Sequence, residues 1–116
     1  MKRDLLISAF VLAVFAGCSK SSDSTNTPNN NMSCTGTKSF ASDVHPIFQT
    51  VCSNAGCHEA SSTNGPGPLT NYQQIFNART SIRSAVSSGT MPKNTTLTAT
   101  QKNAILCWID NGAPNN

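Results

Sequence analysis

Apolar residues fall into separate runs along this chain, and the period of each run predicts an element. Leu5 to Phe15 is almost continuously apolar, follows Lys2 and Arg3, and ends in the small residues Ala16 and Gly17 before Cys18. That pattern is a secretion signal, because the run is too short to cross a bilayer. Ser19 to Ser33 is Ser, Thr, Asn and Pro with almost nothing to bury, so it predicts a flexible tether. Phe40, Val44, Ile47, Phe48 and Val51 then recur at helical spacing, with Ser42 as the expected cap, Asp43 in the first turn and Pro46 near enough to the start to be tolerated. Asn71 is placed to cap a helix carrying Tyr72, Ile75 and Phe76. A second helical stretch, from about Thr80 to Ser87, has Ile82 and Val86 four apart and stops at Gly89. Thr98-Ala99-Thr100-Gln101 is a capping box opening a last helix whose inner stripe is Ala104, Ile105, Trp108 and Ile109, and Asn111-Gly112 ends it. Glu59 to Thr70, with Gly65-Pro66-Gly67-Pro68, is a loop, and Thr90 to Asn94 is irregular.

These runs divide the chain into residues 1–17 as signal peptide, 18–33 as tether and 34–116 as one small domain. Phe15-Ala16-Gly17-Cys18 resembles the bacterial lipobox, in which cleavage before the cysteine exposes it for acylation; the competing reading is an ordinary signal peptide with Cys18 as a stray thiol. Acyl chains on Cys18 would hold the protein at a membrane surface of the cell envelope. Past the signal, Lys20, Lys38, Arg79, Arg83, Lys93 and Lys102 face Asp23, Asp43, Glu59 and Asp110, a net charge of +2. With no basic run and no aromatic platform, nucleic acid is not an expected partner. A protein-only core of this size is marginal, so a disulfide, a metal or another buried group is expected to supplement it.

Cys52-Ser53-Asn54-Ala55-Gly56-Cys57-His58 carries the chemistry. It reads as a widened form of the C-x-x-C-H haem-attachment signature, with thioether sulfurs from Cys52 and Cys57 and an axial imidazole from His58. Four residues between the cysteines force an outward bulge if both sulfurs serve one porphyrin, and Gly56 sits where that bulge must turn back. A metal-bound histidine needs its second ring nitrogen held by an acceptor, which the Gly-Pro loop could supply; its other reading is a plain connector. Met91, in an irregular loop, offers a thioether of the kind that serves as sixth ligand in cytochromes c, and His45 competes for that position. The chain has five cysteines. With Cys18 on lipid and Cys52 and Cys57 on haem, Cys34 and Cys107 remain to pair, although Cys107 also reads as a small buried hydrophobe.

Phe40 through Asn116 resembles the small class I-like c-type cytochrome domain, related to the planctomycete-type cytochrome c domains and common in exported bacterial lipoproteins. The resemblance is carried by Asp43-Val44-His45-Pro46-Ile47-Phe48, the Cys52 to His58 segment, Met91-Pro92 and the ending Trp108-Ile109-Asp110-Asn111-Gly112-Ala113-Pro114. It implies an all-α fold around one covalent haem c, with His58 proximal, Met91 distal and Pro66 or Pro68 in the loop beside the proximal imidazole. The implied role is electron transfer between redox partner proteins of the envelope, without catalysis. Arg79 and Arg83 are candidates to neutralise haem propionates, though each also reads as part of a solvated helix face, and Trp108 reads as core or as a residue at the haem edge. In a haem-free alternative, Cys52, Cys57 and His58 hold zinc with Cys107 or His45. In another, Cys52 and Cys57 form a second disulfide in a scaffolding module. An enzyme is not expected, because the chain has no carboxylate pair, no second histidine pair and no Ser-His-Asp set.

Overall fold

A computed structural model describes residues 34–116. The signal segment, the tether and Cys18 lie outside them. Every regular element among the described residues is helical, so the domain is all-α. None of these helices is long and apolar enough to cross a membrane.

Helix α1 is three consecutive segments, Phe40–Val44, His45–Ile47 and Phe48–Cys52. The outer two are wound wide, with i to i−5 bonds such as Val44 N–H to Ser39 O (3.2 Å) and Ser53 N–H to Phe48 O (2.8 Å). Pro46 explains the first widening: it has no N–H, and its ring presses on the carbonyl four residues back, so the preceding turn loosens. The cap is Ser39 and not Ser42. The Ser39 hydroxyl accepts from Ser42 N–H (3.4 Å), while Ser39 N–H donates to Asp43 Oδ2 (2.7 Å). The next donors, Phe40 N–H and Ala41 N–H, reach Oδ1 and the carbonyl of Asn116, each at 2.9 Å. The chain end therefore satisfies a helix start that would otherwise leave N–H groups unpaired.

Helix α2, Tyr72–Ser88, begins at Asn71, whose side chain accepts from Gln74 N–H (3.0 Å), and ends at Gly89 in the left-handed conformation (φ 77°). It is one helix where the sequence predicted two stretches. The polar run through Asn77 and Thr80 carries no apolar stripe of its own, but Arg79 folds back there, its guanidinium 3.9 Å from the Phe76 ring centroid and its Nη1 donating to Phe76 O (2.7 Å). Helix α3, Ala99–Asp110, opens with the capping box between Thr98 and Gln101, both bonds present. Its burial is broader than a stripe: Ala104, Ile105, Leu106, Cys107 and Trp108 are all buried, with Ile109 only packed against the core.

Helix α3 packs against α2 and the start of α1, around an aromatic knot. Phe40 meets the edge of Tyr72 at 5.1 Å and lies 5.5 Å from Trp108, which is fully buried. Buried ring N–H and O–H groups need partners, and the C-terminal segment provides them: Trp108 Nε1–H donates to Pro114 O (2.9 Å) and Tyr72 O–H to Ala113 O (3.0 Å). Cys34 and Cys107 are joined by a disulfide, which ties the start of the described chain to α3 across 73 residues. Closing a loop of that length removes entropy from the unfolded chain. Cys34→Ser should therefore lower the unfolding free energy by about 4 kcal/mol, measured by denaturant titration under non-reducing conditions. An unchanged midpoint would show that the closure contributes nothing.

Candidate functional site

The end of α1 delivers Cys52 to a cavity of about 640 Å³, lined by the segment through His58, by Val86 of α2 and by residues between Met91 and Leu97. An adjoining space of about 340 Å³, walled by Leu69, Ile82 and Val86, shares Cys52, His58 and Met91 with it. Cys52, Cys57, His58 and Met91 therefore face one hollow. Its floor is apolar, and its rim is polar, with Asn54, Asn64, Lys93 and Asn94.

His58 is buried at 8% exposure. Its Nδ1 lies 2.9 Å from Gly67 O, and because a carbonyl only accepts, Nδ1 carries the proton. Nε2 is then an unprotonated lone pair. It makes no hydrogen bond, and among the described residues no buried side-chain nitrogen or oxygen lacks a partner, so Nε2 faces the open space of the cavity. The backbone repeats the attachment, since Leu69 N–H donates to His58 O (2.9 Å) and His58 N–H to Cys52 O (3.0 Å). The Gly-Pro loop is thus strapped across the histidine, through Gly67 between the two prolines.

The spacer between the cysteines folds into a turn, with Cys57 N–H donating to Asn54 O (2.9 Å) and Gly56 at φ 78°. Open space surrounds Gly56, so it is the backbone angle that calls for glycine there. Three polar side chains clamp the turn: Glu59 Oε1 accepts from Gly56 N–H (3.0 Å), Asn64 Nδ2 donates to Gly56 O (3.0 Å) and Cys57 O (3.1 Å), and Ser62 O–H donates to Cys57 O. The sequence reading treated Ser62 and Asn64 only as loop composition. Their spacing after Cys57 carries no periodic signal, and only the fold shows what they bind.

Cys52 and Cys57 are both free thiols and half-buried. Burial, with the nearby Cys57 as a smaller contribution, pushes the Cys52 thiol up to about 11. Met91 is set by its N–H donating to Ala85 O (3.2 Å), just past the Gly89 stop.

The remaining candidates lie elsewhere. His45 is turned away from the cavity, with Nε2 3.1 Å from Thr70 O and its ring stacked on Phe40 at 5.1 Å. Trp108 is core, its N–H spent on Pro114. Arg83 pairs with Asp110 (2.6 Å), which holds that carboxyl below its ordinary range through the hydrogen bond, and Arg79 lies on Phe76. Among the described residues, no three His, Cys, Asp or Glu side chains gather as a metal-binding group. No family model, curated protein or solved structure matches the chain.

The Cys52 shift has a measurable sign. Alkylation of Cys52 should be slow at pH 8 and reach half its limiting rate near pH 11, read by mass spectrometry of the protein without cofactor. Cys57→Ser should lower that value while burial keeps it above 9.0, the ordinary thiol value. Because the folded value is the higher one, the contribution to stability is complete below 9.0 and is lost as pH rises towards 11.

Proposed function

We propose that this chain is a membrane-anchored monohaem c-type cytochrome that carries single electrons between redox partner proteins of the cell envelope. One juxtaposition carries the reading: two unbonded thiols, an imidazole with a free Nε2 and a methionine line the same apolar cavity. The donor set fits haem c. Cys52 and Cys57 would hold the macrocycle as thioethers, and His58 and Met91 would hold its iron. The space fits as well, since cofactor-sized organic ligands occupy pockets of about 300–1,000 Å³ with mostly apolar walls. Bound there, haem supplies a centre that gains and loses one electron.

The protein's own part is positional and dielectric. The Gly67 carbonyl keeps His58 in the tautomer that presents Nε2. Leu69, Ile82 and Val86 exclude water, and with a methionine ligand this favours the reduced state and a higher potential. The exposed rim at Lys93 and Asn94 leaves the cavity open towards a docking partner. With His58 and Met91 both holding the iron, no position would remain on it for a substrate, which supports a carrier role. Acyl chains on Cys18 and the tether from Ser19 to Ser33 would confine this traffic to a membrane surface.

The test is to express the full chain with haem-maturation genes and record its redox spectrum and intact mass. The expected product is coloured, and one haem stays on the denatured chain. Colourless protein without added tetrapyrrole would overturn the reading. Met91→Ala should abolish the weak near-infrared charge-transfer band of the oxidised protein, and survival of that band would reassign the distal ligand.

A further inference from the structure

A spacer of four residues between two attachment cysteines poses a mechanical problem. Cys52 is the last residue of α1, and its carbonyl accepts from His58 N–H (3.0 Å), so its place is set by the helix and by the histidine. Cys57 has no such helix. It hangs on the turn from Ser53 to Gly56, and although Ser62 O–H also bonds the Cys57 carbonyl, the side chain that bonds the Gly56 carbonyl is Asn64.

Asn64 reaches both. A single amide nitrogen, Nδ2, donates one N–H to Gly56 O and the other to Cys57 O, at 3.0 and 3.1 Å. The same residue's backbone carbonyl accepts from Gly67 N–H, and the carbonyl of Gly67 accepts from His58 Nδ1–H. Asn64 thus sits astride two fixtures, holding the Cys57 turn by its side chain and standing in the loop that orients His58 by its backbone. It also lines the cavity. No other side chain type does this as well: aspartate has the shape but no N–H, and its charge would face two carbonyl oxygens. Glutamine has the donors on a longer, looser stem.

We infer that Asn64 is a positioning residue for covalent attachment, holding Cys57 so that its sulfur and that of Cys52 are presented to the same macrocycle despite the widened spacer. The inference rests on the haem reading above. In attachment each thiol adds as S–H across one vinyl double bond, sulfur to one carbon and hydrogen to the other, so nothing leaves and no oxidant is consumed. With the clamp removed, Cys52 still reacts from its helix end, while Cys57 samples orientations in which its sulfur misses.

The test uses the full chain matured with haem-attachment genes, as wild type, Asn64→Asp, Asn64→Ala and, as a charge control on the exposed face of α2, Asn77→Asp. Each is denatured, alkylated and weighed intact, with the modified cysteine mapped by peptide. Wild type and Asn77→Asp should carry haem with no alkylatable cysteine at 52 or 57. Loss of two hydrogen bonds should raise the share of haem-bearing chain with an alkylated Cys57 by about tenfold in both Asn64 variants. Glu59→Ala loosens the same turn from its other side and should raise the same species, while Glu59→Gln, which keeps an accepting oxygen, should not. That pair reads the clamp even if an Asn64 variant fails to accumulate. Coloured Asn64 and Glu59 variants with both cysteines consumed would overturn the role given to the clamp and leave the haem reading standing. A wild type with no tetrapyrrole would overturn both.

Discussion

The hydrogen bond from His58 Nδ1–H to the Gly67 carbonyl organises more of this domain than its length of 2.9 Å suggests. It selects the histidine tautomer and turns the lone pair of Nε2 to the cavity. It also ties down the middle of the loop from Glu59 to Thr70, where Gly65, Pro66, Gly67 and Pro68 offer almost no side chain to bury. Leu69 N–H bonds back to His58 O and Leu69 itself is buried at 4% exposure, so the loop passes into the core just where α2 is about to start. The 17-residue helix α2 then begins at its Asn71 cap, two residues past Leu69.

The domain consequently has two poles. At one, Phe40, Tyr72 and Trp108 interlock, and the residues from Ala113 to Asn116 fill the hydrogen-bonding needs of Tyr72, Trp108 and the first turn of α1. Aromatic pairs of this kind each contribute about 0.5–1.5 kcal/mol beyond their burial. At the other pole, the same helices diverge around a hollow. The disulfide between Cys34 and Cys107 lies at the closed pole, leaving the two cysteines at the cavity unbonded. His45 also belongs to the closed pole, which is why a histidine only thirteen residues from His58 in sequence takes no part in the site.

Much of this was legible in the residues. Gly89 and the Thr98 capping box are local signals whose physics is complete within four or five residues, so they read correctly without tertiary context. The start of α1 was misplaced because Ser39 and Ser42 are equivalent by type, and the choice falls to Asn116, distant in sequence, which supplies the acceptors that the earlier start requires. The unity of α2 was hidden because its middle is bridged by Arg79 lying on Phe76, a contact that no hydrophobic period reports. At the site, residue chemistry named Cys52, Cys57, His58 and Met91 from motif and loop context. The supports at Glu59, Ser62 and Asn64 lie in a polar loop, where type and spacing say only that the chain turns.

A group bound in the hollow would add to the stability of the folded state. Ile82, Val86 and Leu69 are buried and wall the hollow, so a group seated there would add van der Waals contacts to them. A ligand that binds only the folded chain stabilises it in proportion to the logarithm of its concentration over its dissociation constant, and a covalently held one cannot be diluted away. If haem fills the open pole as proposed, the closed pole holds the helices, the imidazole and the two thiols in register for it, and the polar clamp on the cysteine turn contributes to that register without adding apolar surface.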